Sequence, residues 1–534
     1  MNNLSDMLST NKLMTTVYLG DLLAQTSNDY IIPEDASDTE KILTANAVVT
    51  VERTDVGEKY AEISGSICYD ILLMGEDDTL YGVSYSDNFK TSITNDMINR
   101  ECICITSDPS VTVVSKLINP RKISLGSEIT FDLKILEPVD IQAKVDGVES
   151  LSDEAGIERS PLEITTLKRV VLEEEGINVS HDLELDGNSP PISRILYRHM
   201  TLIPYEIKGR NDHVEIRTQA NINIIYMSEE GNVFSVNKSF MVDRNAEMAS
   251  AEEYEWSANV SYCDLSSEIS SNSYGEMKVI EIDFVYDVDL CGSKNVSVRA
   301  FNDAYSTDYE CTATSRTVSV HNIKRTHGCS LSVNSSVSRE EIGASDIRNV
   351  LTASAQIVDS EISYQEEKNK LVLSGTSRVE IVCENTSLSE NDRKYSSFVY
   401  TYPFKCEFDC SEHNVTDSFS TSISVSDIKY RADSTKLYCD FEAAIKLTSY
   451  SNKDSDIISE IKLNKNDVLS RVSMPFTLCY PCGKESLWDI AKYYKITKDS
   501  IIASNGLEND DITDKHVLLI PQYSKRNAVF SKVI

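Results

Sequence analysis

Alternation of apolar and polar residues runs through long stretches of the chain and predicts β-strands. It is clear in "ITFDLKIL" from Ile129, "ANINIIYM" from Ala220 and "KLYCDFEAAIKL" from Lys436. Turn-forming clusters such as "GEDDT" and "SEEGN" separate these stretches. The pattern therefore predicts a mainly β protein in which sheets pack as sandwiches.

Two short segments break this alternation with apolar residues spaced three and four positions apart. They are "SDTEKILT" from Ser37 and "SDIRNVLT" from Ser345. An Asp or Ser in each can cap a turn of helix. We therefore expect a short helix in both segments.

These segments belong to a longer internal repeat. "ASDTEKILTANA" near the N-terminus returns as "ASDIRNVLTASA", and "EISGSICYDILLMGEDDTLYGV" from Glu62 returns as "EIRTQANINIIYMSEEGNVFSV" from Glu215. We interpret the chain as three homologous domains at 1–150, 151–312 and 313–466. Each repeat is expected to have its own core.

The composition changes after Leu463, and residues 474–522 predict the order strand, helix, helix, strand. "SLWDIAKYY" from Ser486 places Leu487, Ile490, Ala491 and Tyr494 on one helical face. Ser486 and Asp489 have capping-box spacing, and "TKDSIIASNG" predicts a second helix that ends at glycine. "MPFTL" and "VLLIP" are strand-like.

This C-terminal stretch resembles the LysM family in "SLWDIAKYY", "TKDSIIASNGL" and "VLLIP". The resemblance implies a small β-α-α-β domain, and a groove for N-acetylglucosamine polymers or a protein between its first loop and its last loop. The implied groove residues are Tyr480, Gly483, Lys484, Glu485, Ser486, Leu487, Trp488, Leu507, Asn509, Asp510, Asp511 and Ile512. Trp488 can serve either as part of the core or as a ligand platform.

The repeats are similar to SPOCS domains in "NDYIIPEDASDTEKIL" (28–43), "EISGSICYDILLM" (62–74) and "NPRKISLGSEITFDL" (119–133). Tandem SPOCS repeats followed by one LysM domain resemble the SipL-like family of spore coat morphogenetic proteins. That resemblance implies a non-enzymatic adaptor that binds the coat basement ATPase SpoIVA. It also implies a place in the mother-cell cytosol, at the outer forespore surface.

Charge and composition bear on the partners and the location that can be expected for the protein. The formal net charge of −34 disfavours nucleic acid and anionic membranes as partners, because both require a positive face. The first residues lack a signal-peptide pattern, and no apolar run reaches membrane-spanning length. Thirteen scattered cysteines also suit a reducing compartment, so we expect the protein inside the cell.

Few residues of the sequence are candidates for catalysis or metal binding. The sequence contains no GxSxG, P-loop, GxGxxG or HExxH motif, so we expect neither catalysis nor a cofactor. Three cysteine and histidine groups have metal-ligand types, but strand packing or the lack of a fourth ligand argues against metal. They are Cys102 with Cys104, Cys406 with Cys410 and His413, and His321 and His327 with Cys329 in a stretch placed between domains.

"CYPC" contains Cys479 and Cys482 at the spacing of redox dithiols and zinc knuckles. Too little chain follows for a thioredoxin fold, and only His516 follows as a further candidate ligand. We expect a structural loop. The main alternative to the adaptor is a cell-wall protein whose LysM domain binds peptidoglycan; a LysM-targeted wall hydrolase is a third possibility.

Overall fold

The computed structural model describes most of the chain, and over this part the protein is mainly β, as the alternation predicts. Two helices lie near the C-terminus. The described residues are 12–34, 36–106, 109–146, 156–343, 347–365, 368–386, 393–409, 417–469, 475–481, 485–513 and 516–522.

The first repeat is a sandwich of two antiparallel sheets. One sheet contains β1 (Lys12–Ile31), β5 (Ile103–Thr106), β6 (Ser110–Asn119) and β7 (Lys122–Asp140). The other contains β2 (Thr39–Val56), β3 (Tyr60–Gly75) and β4 (Leu80–Thr94). Alternate residues of the two central strands, such as Ile67 and Phe131, fill the core between the sheets. A short strand, β8 (Lys144–Asp146), follows.

The second repeat has the same two-sheet plan. One sheet contains β9 (Ile157–Glu184), β13 (Glu255–Ser271) and β14 (Met277–Ser306). The other contains β10 (Ile192–Gly209), β11 (His213–Ser228) and β12 (Val233–Glu247). Trp256, Phe284 and Tyr286 lie in its core, and the Trp256 indole donates a 2.8 Å hydrogen bond to the carbonyl of Ala251.

The third repeat also consists of two sheets. One sheet contains β15 (Tyr309–Ser338), β19 (Ser418–Ala432) and β20 (Lys436–Val468), and the other contains β16 (Ile347–Gln365), β17 (Lys370–Asn385) and β18 (Tyr395–Asp409). β15 begins ahead of the expected boundary at 313. Residues 321–329 therefore lie inside a strand, and their placement between domains is wrong.

The two segments expected to be helical are strands instead. Leu43 lies in β2 and Leu351 in β16. The pairing register of each strand shifts just before its leucine and again at the leucine itself, at Thr39/Lys41 and Ile42/Thr44 in the first case. Each bulge adds one unpaired residue, so two bulges convert a two-residue alternation into a spacing of three or four. That spacing resembles a helical turn in the sequence.

The three repeats meet at a cluster that we call the apolar junction. Leu43, Leu196 and Leu351 occupy equivalent positions of the repeat, and all three are buried in this cluster. Leu72, Ile225 and Val382, one from the central strand of each repeat, pack with them. The remaining buried members are Met74, Leu80, Tyr197 and Tyr395. Equivalent residues thus converge in one cluster, and each repeat also contacts the other two, an arrangement that we call the ring.

The apolar junction explains the continuous hydrophobic run "ILLM" in β3. Ile71 and Leu73 face the core of their own sandwich, whereas Leu72 and Met74 face the apolar junction. The end of this strand is therefore buried on both faces. A strand covered on both faces is expected to lose its polar alternation.

Further contacts join the first repeat to the third. β8 pairs in parallel with β20, through Val145 opposite Ile461, and every other strand pair in the described part is antiparallel. The hydroxyl of Thr15 donates a 3.2 Å hydrogen bond to the carbonyl of Ser319. The first and the last strand of the third repeat are thereby joined to segments of the first repeat.

The C-terminal region has the predicted order of elements. It contains β21 (Phe476–Cys479), α1 (Leu487–Tyr494), α2 (Lys498–Asn505) and β22 (Leu518–Pro521). β21 and β22 form an antiparallel pair. The helices pack on this pair through apolar residues of its inner face.

Candidate functional site

Local sequence signals fix the two C-terminal helices. The Ser486 hydroxyl accepts a 3.2 Å hydrogen bond from the Asp489 backbone N–H, and the Asp489 carboxylate accepts one of 3.0 Å from the Ser486 N–H. This is the predicted capping box. Thr497 caps α2 in a similar way, and Gly506 ends it with a left-handed backbone. Both helices therefore begin and end where the sequence indicates.

One side of α1 docks on the second repeat. The indole N–H of Trp488 donates a 2.8 Å hydrogen bond to the Asp303 carboxylate, and the Lys492 ammonium lies 2.7 Å from both carboxylate oxygens. The Tyr305 ring meets the Trp488 ring edge-on at 5.0 Å, and its hydroxyl donates to the Ile496 carbonyl at 2.6 Å. Trp488 is thus half-buried between the C-terminal region and β14.

Asp303 and Tyr305 reach this position because of a bulge in β14. The register between β14 and β9 shifts between Phe301 and Asp303. A bulge re-aims the side chains that follow it. Tyr305 becomes 1 % exposed within the core cluster of the C-terminal region, and burial raises its pKa. The sequence analysis missed both residues, since nothing in "FNDAY" marks a contact with a segment nearly two hundred residues later.

The predicted groove residues divide into exposed and buried groups. Glu485, Ser486, Asn509, Asp510 and Asp511 are exposed at the two loops. Leu487 and Ile512 are buried in the core, and Leu507 packs partly against them. The two buried side chains hold the loops in place and are not available to a ligand. Gly483 and Lys484 lie outside the described residues.

The sequence of this region matches the model of the LysM domain family over residues 484–521. Residues 484–521 are a LysM domain. The comparison finds no match for the chain among curated proteins or among solved structures. The match covers the C-terminal region alone, and it agrees with two helices flanked by a pair of strands.

The loop side of the LysM domain carries negative charge. The Asp511 carboxylate accepts hydrogen bonds from the Thr513 hydroxyl and backbone N–H, which lower its pKa. Asp510 forms an ion pair with Lys498, whereas Glu508 is exposed without a cation within ion-pair distance among the described residues. A groove of this kind favours a ligand with hydroxyl or amide donors, or a partner with basic side chains.

An aromatic and apolar strip lies beside these loops. Phe476, Leu478 and Tyr480 alternate along and just beyond β21, and they are 49 %, 49 % and 68 % exposed. Successive residues of a strand point to opposite faces, so the three side chains share the face away from the helices. Tyr480 is the predicted groove residue with the most exposed apolar surface.

The "CYPC" motif is described only in part. Cys479 is half-buried and packs against the LysM core, and it interacts with the hydroxyl of Tyr494. Cys482 lies outside the described residues, so the loop interpretation stays a prediction. Where the structure describes the chain, no group of three or more His, Cys, Asp or Glu side chains is arranged to hold a metal ion.

The remaining cysteine and histidine candidates lie in the sheets. Cys102 is buried in the first core, and Cys104 packs against it with its pKa raised to about 12 by burial. Cys406 packs on the third core, where its sulfur lies 3.2 Å from that of Cys329. Its expected companions Cys410 and His413 lie outside the described residues. Both α-helices of the described part have eight residues, and no helix there reaches the length and hydrophobicity needed to span a membrane.

Proposed function

We propose that the protein is a non-enzymatic adaptor of the spore coat, in which a ring of three repeats carries one LysM domain as a fixed binding module. Its partner is a SpoIVA-type coat ATPase, and its place is the mother-cell cytosol at the outer forespore surface. The resemblance of the repeats to SPOCS domains, followed by a LysM domain, supports this assignment. The function is to localise the coat and help it encase the forespore.

The observation that carries the proposal is the orientation of the LysM domain. Trp488 and Lys492 are engaged by Asp303, so this side of α1 is used for docking within the chain. The loop side has exposed Glu485 and Asp511 and the exposed ring of Tyr480, and none of the three contacts Asp303. Aromatic side chains with charged neighbours are common anchors of protein interfaces.

A pull-down from sporulating cells tests the adaptor function. Tyr480→Ala and the double change Glu485→Gln with Asp511→Asn should each weaken capture of the ATPase, because they alter exposed groups and leave the core intact. Asp264→Asn, an exposed change on the second repeat, is the matched control. Undiminished capture by both loop variants would place the partner site elsewhere, with the third repeat as the next region to test.

The second candidate is a peptidoglycan-binding protein, which the LysM family match favours. LysM domains generally bind N-acetylglucosamine polymers, and the groove carries donors and acceptors that suit sugar hydroxyls. Sedimentation with purified peptidoglycan separates the two functions. Retention on peptidoglycan that is lost in Tyr480→Ala, without capture of the ATPase, would replace the adaptor with a wall-binding function.

A further inference from the structure

Basic side chains from all three repeats lie near one another at a second place, which we call the basic junction. Arg169 lies opposite Ser293 of β14, and Asn295, two residues on, donates a 2.7 Å hydrogen bond to the carbonyl of Ile323, which lies opposite Tyr450. Lys134 comes from β7 of the first repeat, Arg169 from β9 of the second and His321 from β15 of the third. The Lys134 ammonium lies 5.0 Å from the centre of the Tyr450 ring. His321 Nδ1 donates a 2.5 Å hydrogen bond to the side-chain oxygen of Asn452.

The basic junction lacks neutralising carboxylates. Within the described part of the chain, neither Lys134 nor Arg169 has a carboxylate oxygen within 4.0 Å. Arg169 Nε is buried and has no hydrogen-bond partner there. Buried guanidinium groups normally satisfy their N–H donors, because an unpaired one loses its hydration without replacement. In a chain of net charge −34, an unpaired basic cluster is unexpected.

The positive charges of Lys134 and Arg169 repel each other. Burial, then the neighbouring Arg169 charge, lower the pKa of Lys134 to about 7. Burial, then Lys134, lower the pKa of His321 to about 4. The other titratable groups that face this cluster are Cys291, Tyr450, Glu255 and Asp454. Lys446 also faces Glu255 and Cys291. Glu255 acts on Tyr450 and Lys446, Asp454 acts on His321, and neither carboxylate is among the groups that shift the pKa of Lys134.

We propose that the basic junction binds a small tetrahedral oxyanion, with inorganic phosphate as its chemical type. The guanidinium of Arg169 and the ammonium of Lys134 supply charge-assisted donors to the anion. Because Lys134 and Arg169 come from different repeats, the anion links the first repeat to the second. This inference does not depend on the identity of the protein partner, nor on any glycan affinity of the LysM domain.

Calorimetric titration of the full chain with inorganic phosphate tests the proposal. Binding should be saturable, and Lys134→Gln and Arg169→Gln should each weaken it by roughly tenfold or more, the loss expected for one charge-assisted hydrogen bond. Lys208→Gln removes an exposed lysine that pairs with Glu206, and it should leave the affinity unchanged. Equal affinity in all four proteins, or no saturable binding by the natural chain, would overturn the site.

A second readout needs only the natural chain. At pH 8 Lys134 is largely neutral in the free protein, and a bound anion restores its proton, so binding should take up protons. The observed heat should therefore vary with the ionisation enthalpy of the buffer. Inorganic sulfate, whose charge is constant over this pH range, should bind more weakly as the pH rises above 7. Heat that is independent of the buffer, with a sulfate affinity independent of pH, would also contradict the assignment.

Discussion

The three repeats meet in several places, and two of these places have opposite chemistry. At the apolar junction, Leu43, Leu196 and Leu351 come from equivalent positions, and every side chain is satisfied by contact with its counterparts. At the basic junction, Lys134 and Arg169 come from positions that are not equivalent, and their charges repel. The first contact follows from repetition of one sequence. The second brings together residues that the repeat does not make equivalent, and their repulsion lowers stability. Mutations at the two junctions should therefore change the free energy of unfolding in different directions.

Truncation at the apolar junction should have the largest effect. Leu196→Ala removes a buried aliphatic side chain that two other repeats surround, and we expect a loss of about 2–5 kcal/mol in the free energy of unfolding. Denaturation by urea measures it. Leu19→Ala is the control, because Leu19 is 59 % exposed and its loss should change stability little. Similar losses for both variants would mean that the apolar junction does not hold the ring together.

Loss of the contact that docks the LysM domain on the second repeat should have an intermediate effect on stability. Asp303→Ala removes the acceptor for both Trp488 and Lys492, and we expect a loss of about 1–3 kcal/mol at this contact. Hydrogen exchange should accelerate in α1 and α2 while the repeats keep their protection. The exposed change Asp264→Ala should not alter exchange in the helices. Faster exchange throughout the ring would show that the contact supports the whole molecule.

A mutation at the basic junction should change the free energy of unfolding by less, and should raise it rather than lower it. Lys134→Met keeps most of the side-chain volume and removes the repelled amine, so stability without added phosphate should stay unchanged or rise by roughly 1 kcal/mol. The pKa of Lys134 is about 7 in the folded protein and near 10.5 when unfolded, so the unfolded chain binds more protons between these values.

The free energy of unfolding should therefore rise with pH over that window through the contribution of Lys134, and the rise should be reduced in Lys134→Met. Urea denaturation at several pH values measures the slope. Lys208→Met, at an exposed ion pair, serves as the control. A clear loss of stability in Lys134→Met, together with an unchanged slope, would make the amine a stabilising contact and remove the contrast between the junctions.

An exposed ion pair between the first and third repeats should matter least. The Arg316 guanidinium contacts the Glu137 carboxylate across the ring, but the arginine is 41 % exposed. Solvent screens such pairs, so Arg316→Ala should cost at most about 1 kcal/mol. Arg53→Ala, which breaks a pair within one strand, is the comparison. A loss as large as that of Leu196→Ala would show that charge, rather than apolar contact, closes the ring.

Local patterns allowed part of this structure to be predicted. The LysM helices and their caps follow from signals a few residues apart, such as Ser486 with Asp489 and Gly506 after α2. The strands follow from alternation. The helical interpretation of the segments around Leu43 and Leu351 failed, because paired bulges produce the same spacing as a helical turn.

Contacts between distant segments could not be predicted in this way. Asp303 meets Trp488, and Lys134 approaches Arg169, only because whole sheets pack together. No periodicity in the sequence indicates that these residues are in contact. The repeat indicated which residues are equivalent, but it did not indicate that the equivalent leucines pack together at the apolar junction. The loop residues of the LysM domain were found by family pattern, and their role in binding stays a prediction.

The parallel pairing of β8 with β20 has a consequence for how the chain folds. Val145 and Ile461 become neighbours although most of the chain separates them, so this contact has a very high sequence separation. Contacts of this kind form slowly, since a long loop must close before they stabilise anything. We therefore expect the ring to close only after β20 has been synthesised, and the surfaces around Leu43 and Leu196 that contact the third repeat to be exposed to water until then. The incomplete chain is therefore the form most exposed to aggregation, and chaperones have their longest opportunity to act before the third repeat arrives.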